Sequence, residues 1–225
     1  MNVIPAINAI SVHDAEEKIS IAKSFSRAIH FDFADGTFTQ NTLWGTSYDI
    51  ACLCKKYPDI FFEVHLMTRT PFLYTHELLS AGVGRIIVHA EVGDFDDIKE
   101  DIQINIEKYM ISFLPQTSID TMRPFFSLVQ NYQILSVDPG FSGQFFQNHV
   151  LEKIRFLRGY LPNATIEVDG GVNEKTAVMI KHAGADTIVS ASYIFDNISP
   201  EKAFKRLVGI MARNGDSISE YEEKA

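Results

Sequence analysis

The sequence predicts an α/β fold, a single (β/α)8 TIM barrel with eight parallel strands, and three observations lead to this prediction. Short apolar runs alternate with amphipathic stretches along the chain, as they do in parallel βαβ units. Eight such units fit within the 225 residues, a length at the lower end for a closed barrel. Two amphipathic stretches run into helix-ending glycines, Gly82 and Gly184. An open, doubly wound sheet is the alternative that this pattern leaves open.

The elements follow in chain order. The predicted strands are Val3–Ile7, Ala28–Asp32, Ile60–His65, Arg85–His89, Met110–Phe113, Gln133–Val137, Thr165–Val168 and Thr187–Ser190. Helical spacing of apolar residues predicts helices over Asp14–Phe25, Pro71–Ala81 and Asn173–Ala183. We expect one domain over residues 1–225, ending in a polar, charged tail at residues 214–225.

Composition and charge narrow the classes of function. The chain is 46% hydrophobic and 22% charged, which is ordinary for a globular protein. Its net charge of −9 gives no basic footprint, so we expect no nucleic-acid partner. A membrane span needs about 18 apolar residues in a row, and a secretory signal needs a basic start and an apolar core; the sequence has neither. The chain has two cysteines, Cys52 and Cys54, too few for a disulfide framework, and we expect both to be reduced thiols. We expect a cytoplasmic protein that forms homo-oligomers, as barrel enzymes commonly do.

Histidines and carboxylates gather at the ends of the predicted strands, where a barrel builds its active site. His30 and Asp32 are two residues apart on one strand and therefore point the same way. His65 ends the next strand, and Asp169 follows the seventh. Such nitrogen and oxygen ligands predict one divalent metal ion (zinc, iron, manganese or cobalt), and the carboxylates are also placed for proton transfer. The alternative is that the histidines are core residues and the aspartates cap helices. It would require all four residues to fall in phase at strand ends by coincidence.

His89 also ends a strand. We interpret it as a satisfied structural histidine, with a contact to the site as the alternative.

Turn-rich segments after the last three strands predict a phosphate cradle. Glycines allow backbone N–H groups to approach an anion, and the loops after strands seven and eight are the usual phosphate site of a barrel. The predicted phosphate- and substrate-binding residues are Gly140, Phe141, Ser142, Gly143, Gly170, Gly171, Ala191 and Ser192. Ordinary turns are the alternative. Because the metal site would lie on the same rim, we favour a small phosphorylated substrate.

Taken in order, these motifs resemble the ribulose-phosphate 3-epimerase family over nearly the whole chain. The matching segments are Ile29-His30-Phe31-Asp32, Val64-His65-Leu66-Met67, Val88-His89, Val137-Asp138-Pro139-Gly140-Phe141-Ser142-Gly143-Gln144, Glu167-Val168-Asp169-Gly170-Gly171-Val172 and Ser192-Tyr193-Ile194-Phe195. The resemblance implies an isomerase that inverts C3 of a small phosphorylated ketose, D-ribulose 5-phosphate giving D-xylulose 5-phosphate. It implies a metal bound by His30, Asp32, His65 and Asp169. It also implies that Asp32 and Asp169 transfer protons on opposite faces through a metal-stabilised enediolate, a role that suits two carboxylates beside a Lewis acid.

Several positions depart from the family pattern. Ala6 stands where the family has a substrate-contacting serine, and Ala34 and Leu135 stand where it has methionines, which leaves Met67 alone in the apolar cap. The segment Val137-Asp138-Pro139 is similar, through Asp138, to the pattern of the related allulose-phosphate epimerases. An allulose-6-phosphate 3-epimerase and a catalytically silent sugar-phosphate-binding paralogue are therefore the alternative functions.

A decarboxylase or aldolase of the orotidine-phosphate type is a further rival. Its Asp-x-Lys-x-x-Asp signature is missing at the third strand, which reads Glu63-Val64-His65. The one Asp-x-Lys, Asp97-Ile98-Lys99, lies in a charged stretch that predicts a solvated helix face. The site residues therefore disfavour this rival.

Overall fold

Parallel strands close into a barrel in the computed structural model, which describes residues 2–92, 95–140 and 143–212. Each strand pairs in parallel with the next, and β1 pairs with β8 to close the ring. The eight strands of the described chain are β1 Val3–Ile7, β2 Ala28–Ala34, β3 Phe61–Met67, β4 Arg85–His89, β5 Tyr109–Phe113, β6 Asn131–Leu135, β7 Thr165–Asp169 and β8 Thr187–Ser190. The (β/α)8 barrel is confirmed, and the open sheet is excluded. The predicted tail at residues 214–225 lies outside the described residues.

Helices follow the strands on the outside of the barrel. They are α1 Val12–Ala22, α2 Ser47–Lys56, α3 Phe72–Ser80, α4 Asp96–Ile104, α5 Ile119–Met122, α6 Val150–Tyr160, α7 Glu174–Ala183, α8 Ser192–Phe195 and α9 Pro200–Ala212. Capping boxes begin α2 at Thr46 and α7 at Asn173, which satisfies free amides of the first turn. Gly184 ends α7 in the left-handed conformation, as predicted. Within the described ranges, no helix combines the length and the apolar character needed to cross a membrane.

Strand ends lie two residues from the prediction in β2, β3 and β6, and one residue from it at the starts of β3 and β5 and at the end of β7. β6 begins and ends two residues earlier than the predicted Gln133–Val137. It ends there because the Ser136 carbonyl accepts from the Gln147 amide (2.9 Å), which takes the chain out of the ladder. β2 and β3 run two residues further than predicted, to Ala34 and Met67, because their ladder continues in register to that pair. Both extensions stay buried, so strand geometry orients the residues around the site.

The molecule has an apolar shell and a polar barrel interior. The large apolar core lies between strands and helices, with Ile19, Phe62 and Leu157 among its fully or nearly fully buried members. Inside the ring, a small apolar cluster of Ile4, Ala6, Ala28 and Val189 is separate from that core. Polar side chains are buried as well, namely Glu63, Ser112, Gln133 and Glu167, each 0% exposed. Burying a polar side chain costs free energy unless it is paired with a partner. This polar layer therefore belongs with the site directly above it.

Candidate active site

Four side chains from three strands converge at the carboxyl end of the barrel. Asp32 Oδ1 lies 3.2 Å from His30 Nε2 and 3.1 Å from His65 Nδ1. Asp169 Oδ2 lies 4.0 Å and 3.8 Å from the same two nitrogens. The pairing of β2 with β3 places Asp32 directly opposite His65, and β7 brings Asp169 from the far side. The structure therefore brings together all four metal ligands predicted from the sequence.

The donor set suits a divalent cation. One atom from each of these four residues lies within 4.8 Å of the other three, and the histidines are buried while both aspartates keep some exposure. Two imidazole nitrogens and two carboxylate oxygens are ligands that zinc, iron, manganese and cobalt accept. Imidazole nitrogens and carboxylate oxygens this close together need either shared hydrogens or a positive ion between them. The residues present therefore fit a metal ion, and partial exposure of the aspartates leaves room for a further ligand.

The two carboxyl groups have opposite protonation preferences. Burial opposes the charge on Asp32, but hydrogen bonds with His30 and His65 outweigh it and lower the pKa of Asp32 well below its usual value. Burial raises the pKa of Asp169 to about 6, with the positive charge of His30 opposing that rise and the negative charge of Asp32 adding to it. Asp32 is therefore the ionised member and Asp169 the member that more readily holds a proton.

A buried acidic layer below the site was missed by the sequence argument. Glu63 Oε1 accepts from His30 Nδ1 at 2.8 Å, and Arg85 Nη1 donates to the other Glu63 oxygen at 3.3 Å. Glu167 accepts from the Gln133 amide at 3.1 Å, and burial raises the pKa of Glu167 well above its usual value. The signal was available, because Glu63 and Glu167 stand two residues before His65 and Asp169 and so share their faces.

His89 contacts the site. Its Nε2 lies 2.8 Å from Nε2 of His65, and its side chain is fully buried. The alternative interpretation of His89, a contact with the site, is therefore confirmed. Of the histidines away from the site, His13, His76 and His182 lie in helices, and the His149 ring contacts the Pro115 carbonyl at 2.9 Å.

A cleft opens directly above Asp32 and Asp169. Its walls carry three residues noted in the sequence, Ala6, Met67 and Leu135. Five predicted phosphate-binding residues also line it: Gly143, Gly170, Gly171, Ala191 and Ser192.

Of the remaining predicted phosphate-binding residues, the structure describes Gly140, which does not line the cleft. Gly140 packs against Asn41, whose side-chain amide donates to the Gly140 carbonyl. Phe141 and Ser142 lie outside the described residues. Phosphate binding by the whole set stays a prediction.

Solved structures share the fold. A 3-hexulose-6-phosphate synthase from Salmonella typhimurium matches with a TM-score of 0.71 and 13% identity, covering 94% of this chain and 98% of that one. An orotidine 5'-phosphate decarboxylase from Pyrococcus horikoshii OT3 matches with a TM-score of 0.66 and 17% identity, covering 94% and 100%. At these identities the likeness shows the fold alone. Fold and site together define the class, a (β/α)8-barrel enzyme with a buried histidine–carboxylate centre.

Sequence relatives identify the family. The model of the ribulose-phosphate 3 epimerase family matches residues 2–195. The ribulose-phosphate 3-epimerase of Chlamydia muridarum is 37% identical over 199 residues, covering 84% of this chain and 86% of its own. That of Chlamydia pneumoniae is 36% identical over 190 residues, covering 80% and 81%, and a cytoplasmic isoform from Oryza sativa subsp. japonica is 30% identical over 184, covering 80% of each. The chain belongs to the ribulose-phosphate 3-epimerase family and is a carbohydrate epimerase of the isomerase class.

Proposed function

We propose that the protein interconverts D-ribulose 5-phosphate and D-xylulose 5-phosphate by inverting C3. The observation that carries this proposal is the placement of Asp32 on β2 and Asp169 on β7, which β1 and β8 separate in the ring, around one centre below the cleft. Inversion beside a ketone requires removal of a proton from one face and its return on the other. Two carboxyl groups that approach one carbon from two sides can do both.

The protonation preferences support this assignment. The ionised Asp32 accepts the C3 proton from one face, and the protonated Asp169 donates to the other. After one turnover Asp32 holds the proton and Asp169 is ionised, so the reverse reaction begins from the opposite state. Each carboxylate keeps its position because the histidines that flank it are themselves fully buried.

His30, Asp32, His65 and Asp169 would hold one divalent metal ion, of zinc, iron, manganese or cobalt. When bound, such an ion polarises the substrate carbonyl and offsets the negative charge that develops as the C3 proton leaves. Glu63 would orient the His30 ring for this role, because its carboxylate accepts from the nitrogen that faces away from the site.

The phosphate group would lie against the glycine-rich wall of the cleft. Gly170 and Gly171 both have positive φ, +105° and +60°, which turns the chain sharply after Asp169. Backbone amides at such a turn can face an anion, and Ser192 on the same wall adds a hydroxyl. We include Gly140, Phe141, Ser142, Gly143 and Ala191 in this proposed set.

A phosphorylated hexulose is the second candidate substrate. Ala6 and Leu135 line the cleft, and each lacks the side chain that the family pattern carries there. Asp138 bonds the Gln116 amide at 2.7 Å and so is held in place on the rim. Met67 would be the remaining methionine of the apolar cap. We further propose a cytoplasmic location, supported by the name of the rice relative, and a homo-oligomeric state.

The test is proton NMR of D-ribulose 5-phosphate with the metal-loaded protein in deuterated water. We expect deuterium to appear at C3 together with xylulose 5-phosphate. If only allulose 6-phosphate exchanges its C3 hydrogen, the substrate is the hexulose phosphate and not the pentulose phosphate. If neither sugar phosphate exchanges, the protein is a catalytically silent paralogue that binds sugar phosphates. Asp120→Asn, an exposed position on α5, controls for the preparation.

A further inference from the structure

A buried serine joins the end of β6 to the turn that follows β7. Ser136 is the first residue after β6, and none of its surface is exposed. Its backbone N–H donates to the Asp169 carbonyl at 2.8 Å. Its hydroxyl oxygen lies 2.8 Å from the same carbonyl and 2.6 Å from the Gly170 carbonyl. Because Ser136 is fully buried, it lies behind the proposed acid and not beside the substrate.

The single hydrogen of the hydroxyl has a preferred acceptor. A serine hydroxyl can donate one hydrogen at a time. The Asp169 carbonyl already accepts from the Ser136 amide, so donation to the Gly170 carbonyl gives each of these two carbonyls a partner. Pairing both is favoured, since a carbonyl that is shielded from water costs free energy when it is unpaired. The serine side chain therefore holds the peptide group between Gly170 and Gly171 in one orientation.

The turn requires this restraint because two glycines follow the proposed acid directly. Gly170 and Gly171 both have positive φ, and glycine loses more backbone freedom on ordering than any other residue. A Cβ on Gly170 would lie 2.4 Å from Cγ2 of Val137, and a Cβ on Gly171 would lie 2.7 Å from the backbone nitrogen of Phe146. Neither position can therefore carry a side chain that stiffens the turn, and the serine hydroxyl restrains it from outside.

Ser136 is itself fixed by the loop after β6. Its carbonyl accepts from the Gln147 amide at 2.9 Å, where that loop returns toward α6. The preceding residue, Phe146, is the one whose backbone packs on Gly171. The amide, hydroxyl and carbonyl of one serine thus join the end of β6, the turn after β7 and the returning loop.

We propose that Ser136 is a positioning residue for Asp169, and that it holds the carboxyl group at the centre of the site by restraining the turn formed by Asp169, Gly170 and Gly171. Ser136 touches neither substrate nor metal and acts through the backbone. This inference rests on the proposed function and adds to it one residue behind the acid. A reacting group that is displaced by about 1 Å can cost about 10²-fold in rate, which sets the scale of the expected effect.

Ser136→Ala is the direct test, because it removes the hydroxyl and adds no volume. Asp32 and its contacts stay as they are, so only the substrate face served by Asp169 should be affected. We expect inversion to slow by about 10- to 100-fold, while C3 exchange of the epimer whose hydrogen faces Asp32 stays within about threefold of the wild-type rate. Single-turnover proton NMR of both epimers in deuterated water measures the two rates. A general loss of packing would slow both equally.

Two further variants isolate the hydroxyl. Ser136→Thr keeps the donor and should bring inversion back to within about threefold of the wild-type rate. Ser26→Ala removes another buried hydroxyl, which donates to the Ala28 carbonyl at 2.8 Å at the start of β2, the opposite end of the barrel from the site. Ser26→Ala should lower the thermal midpoint much as Ser136→Ala does, but it should leave inversion and exchange unchanged.

A second measurement requires neither metal nor substrate. ¹⁵N relaxation of the metal-free protein reports the mobility of single backbone amides. We expect the amides of Gly170 and Gly171 to have order parameters of about 0.85 in the wild type and in Ser26→Ala, and below about 0.6 in Ser136→Ala. This readout also decides the question if the extra methyl group of Ser136→Thr disturbs the fold.

The outcomes separate this inference from the proposed function. Inversion at the wild-type rate in Ser136→Ala overturns the inference, as does equal slowing of inversion and of exchange from both epimers. Order parameters that are the same in Ser136→Ala and the wild type overturn it as well. A wild type that neither inverts nor exchanges a ketose phosphate overturns the proposed function instead. In that case the relaxation data still decide whether Ser136 restrains the turn after β7.

Discussion

Asp32 and Asp169 are the same chemical group in two different surroundings. Asp32 has one nitrogen of His30 and one of His65 within about 3.2 Å, whereas Asp169 is held 3.8 and 4.0 Å from the same two nitrogens. The closer contacts stabilise the ionised form of Asp32, and burial leaves Asp169 with a pKa of about 6. Distances that differ by less than 1 Å therefore separate the protonation preferences of the two aspartates, as the proposed roles of base and acid require.

Replacing either aspartate by asparagine tests this division. Because an amide can neither accept nor deliver the proton, Asp32→Asn and Asp169→Asn should each slow epimerisation by at least about 10²-fold. One carboxylate remains in each variant, so Asp169→Asn should still exchange the C3 proton of one epimer with deuterated water while failing to invert it. Single-turnover NMR of both epimers measures inversion and exchange separately.

Asp120→Asn is the matched control, since it changes the same group on an exposed helix. Inversion within tenfold of the wild-type rate in either site variant would contradict the two-carboxylate mechanism. Equal loss of exchange from both epimers in Asp169→Asn would show that Asp32 does not act alone as a base.

At the scale of elements, the turn after β7 connects the proposed acid to the proposed phosphate site. Asp169 is the last residue of β7, and Gly170 and Gly171 follow at once. A Cβ on Gly171 would come within 2.7 Å of the Phe146 backbone nitrogen, in the segment after β6. The loops after β6 and β7 are therefore packed backbone to backbone at this point, and only glycine fits.

Gly171→Ala should weaken substrate binding more than folding. The φ of +60° costs an alanine about 1 kcal/mol or more, and the contact with Phe146 forces the two loops apart. We expect KM to rise about tenfold or more, measured by a coupled assay of epimerisation. Gly159→Ala is the control: its site on α6 is open, so it should keep KM and stabilise the helix by about 0.5–1 kcal/mol. An unchanged KM in Gly171→Ala would contradict the phosphate assignment.

Elements and site residues differ in how far the sequence predicts them. Apolar runs and helix-ending glycines predicted the strands because each run is buried on both faces in a parallel barrel. The four converging side chains were predicted because strand ends of a barrel meet at one rim. Glu63 and Glu167 were missed, since an acidic residue beside an apolar run looks the same in sequence whether it is buried or solvated. Their contacts depend on His30 and Gln133, which lie on other strands.

At the scale of the whole molecule, several buried polar side chains lie inside the ring and around its upper rim. The apolar shell supplies burial between strands and helices, while the interior holds a layer of acidic and amide groups. The rim carries a buried cation as well. Lys153 of α6 is 7% exposed, and its ammonium donates to the carbonyls of Leu114 (3.0 Å) and Pro115. Lys153 thus joins α6 to the loop after β5.

The charge on Lys153 makes global stability depend on pH. Burial lowers the pKa of Lys153 to about 8, and the nearby Glu91 only partly opposes this. Below pH 8 the lysine is charged in both states, so its cost to the folded state is constant. Between pH 8 and about 10 the unfolded chain holds more protons, and the stability contributed by this group therefore rises with pH by about 2 kcal/mol. Lys153→Met removes this titration.

Urea unfolding of both proteins across pH 7.5–10 measures the effect. We expect the free energy of unfolding of the wild type to gain on that of Lys153→Met as pH rises, even though other groups change both curves. Lys205→Met, at an exposed lysine of α9, controls for the loss of one positive charge. Parallel curves for the wild type and Lys153→Met would show that the ammonium is solvated in the folded state. In that case the loop after β5 would lack the anchor that the structure gives it.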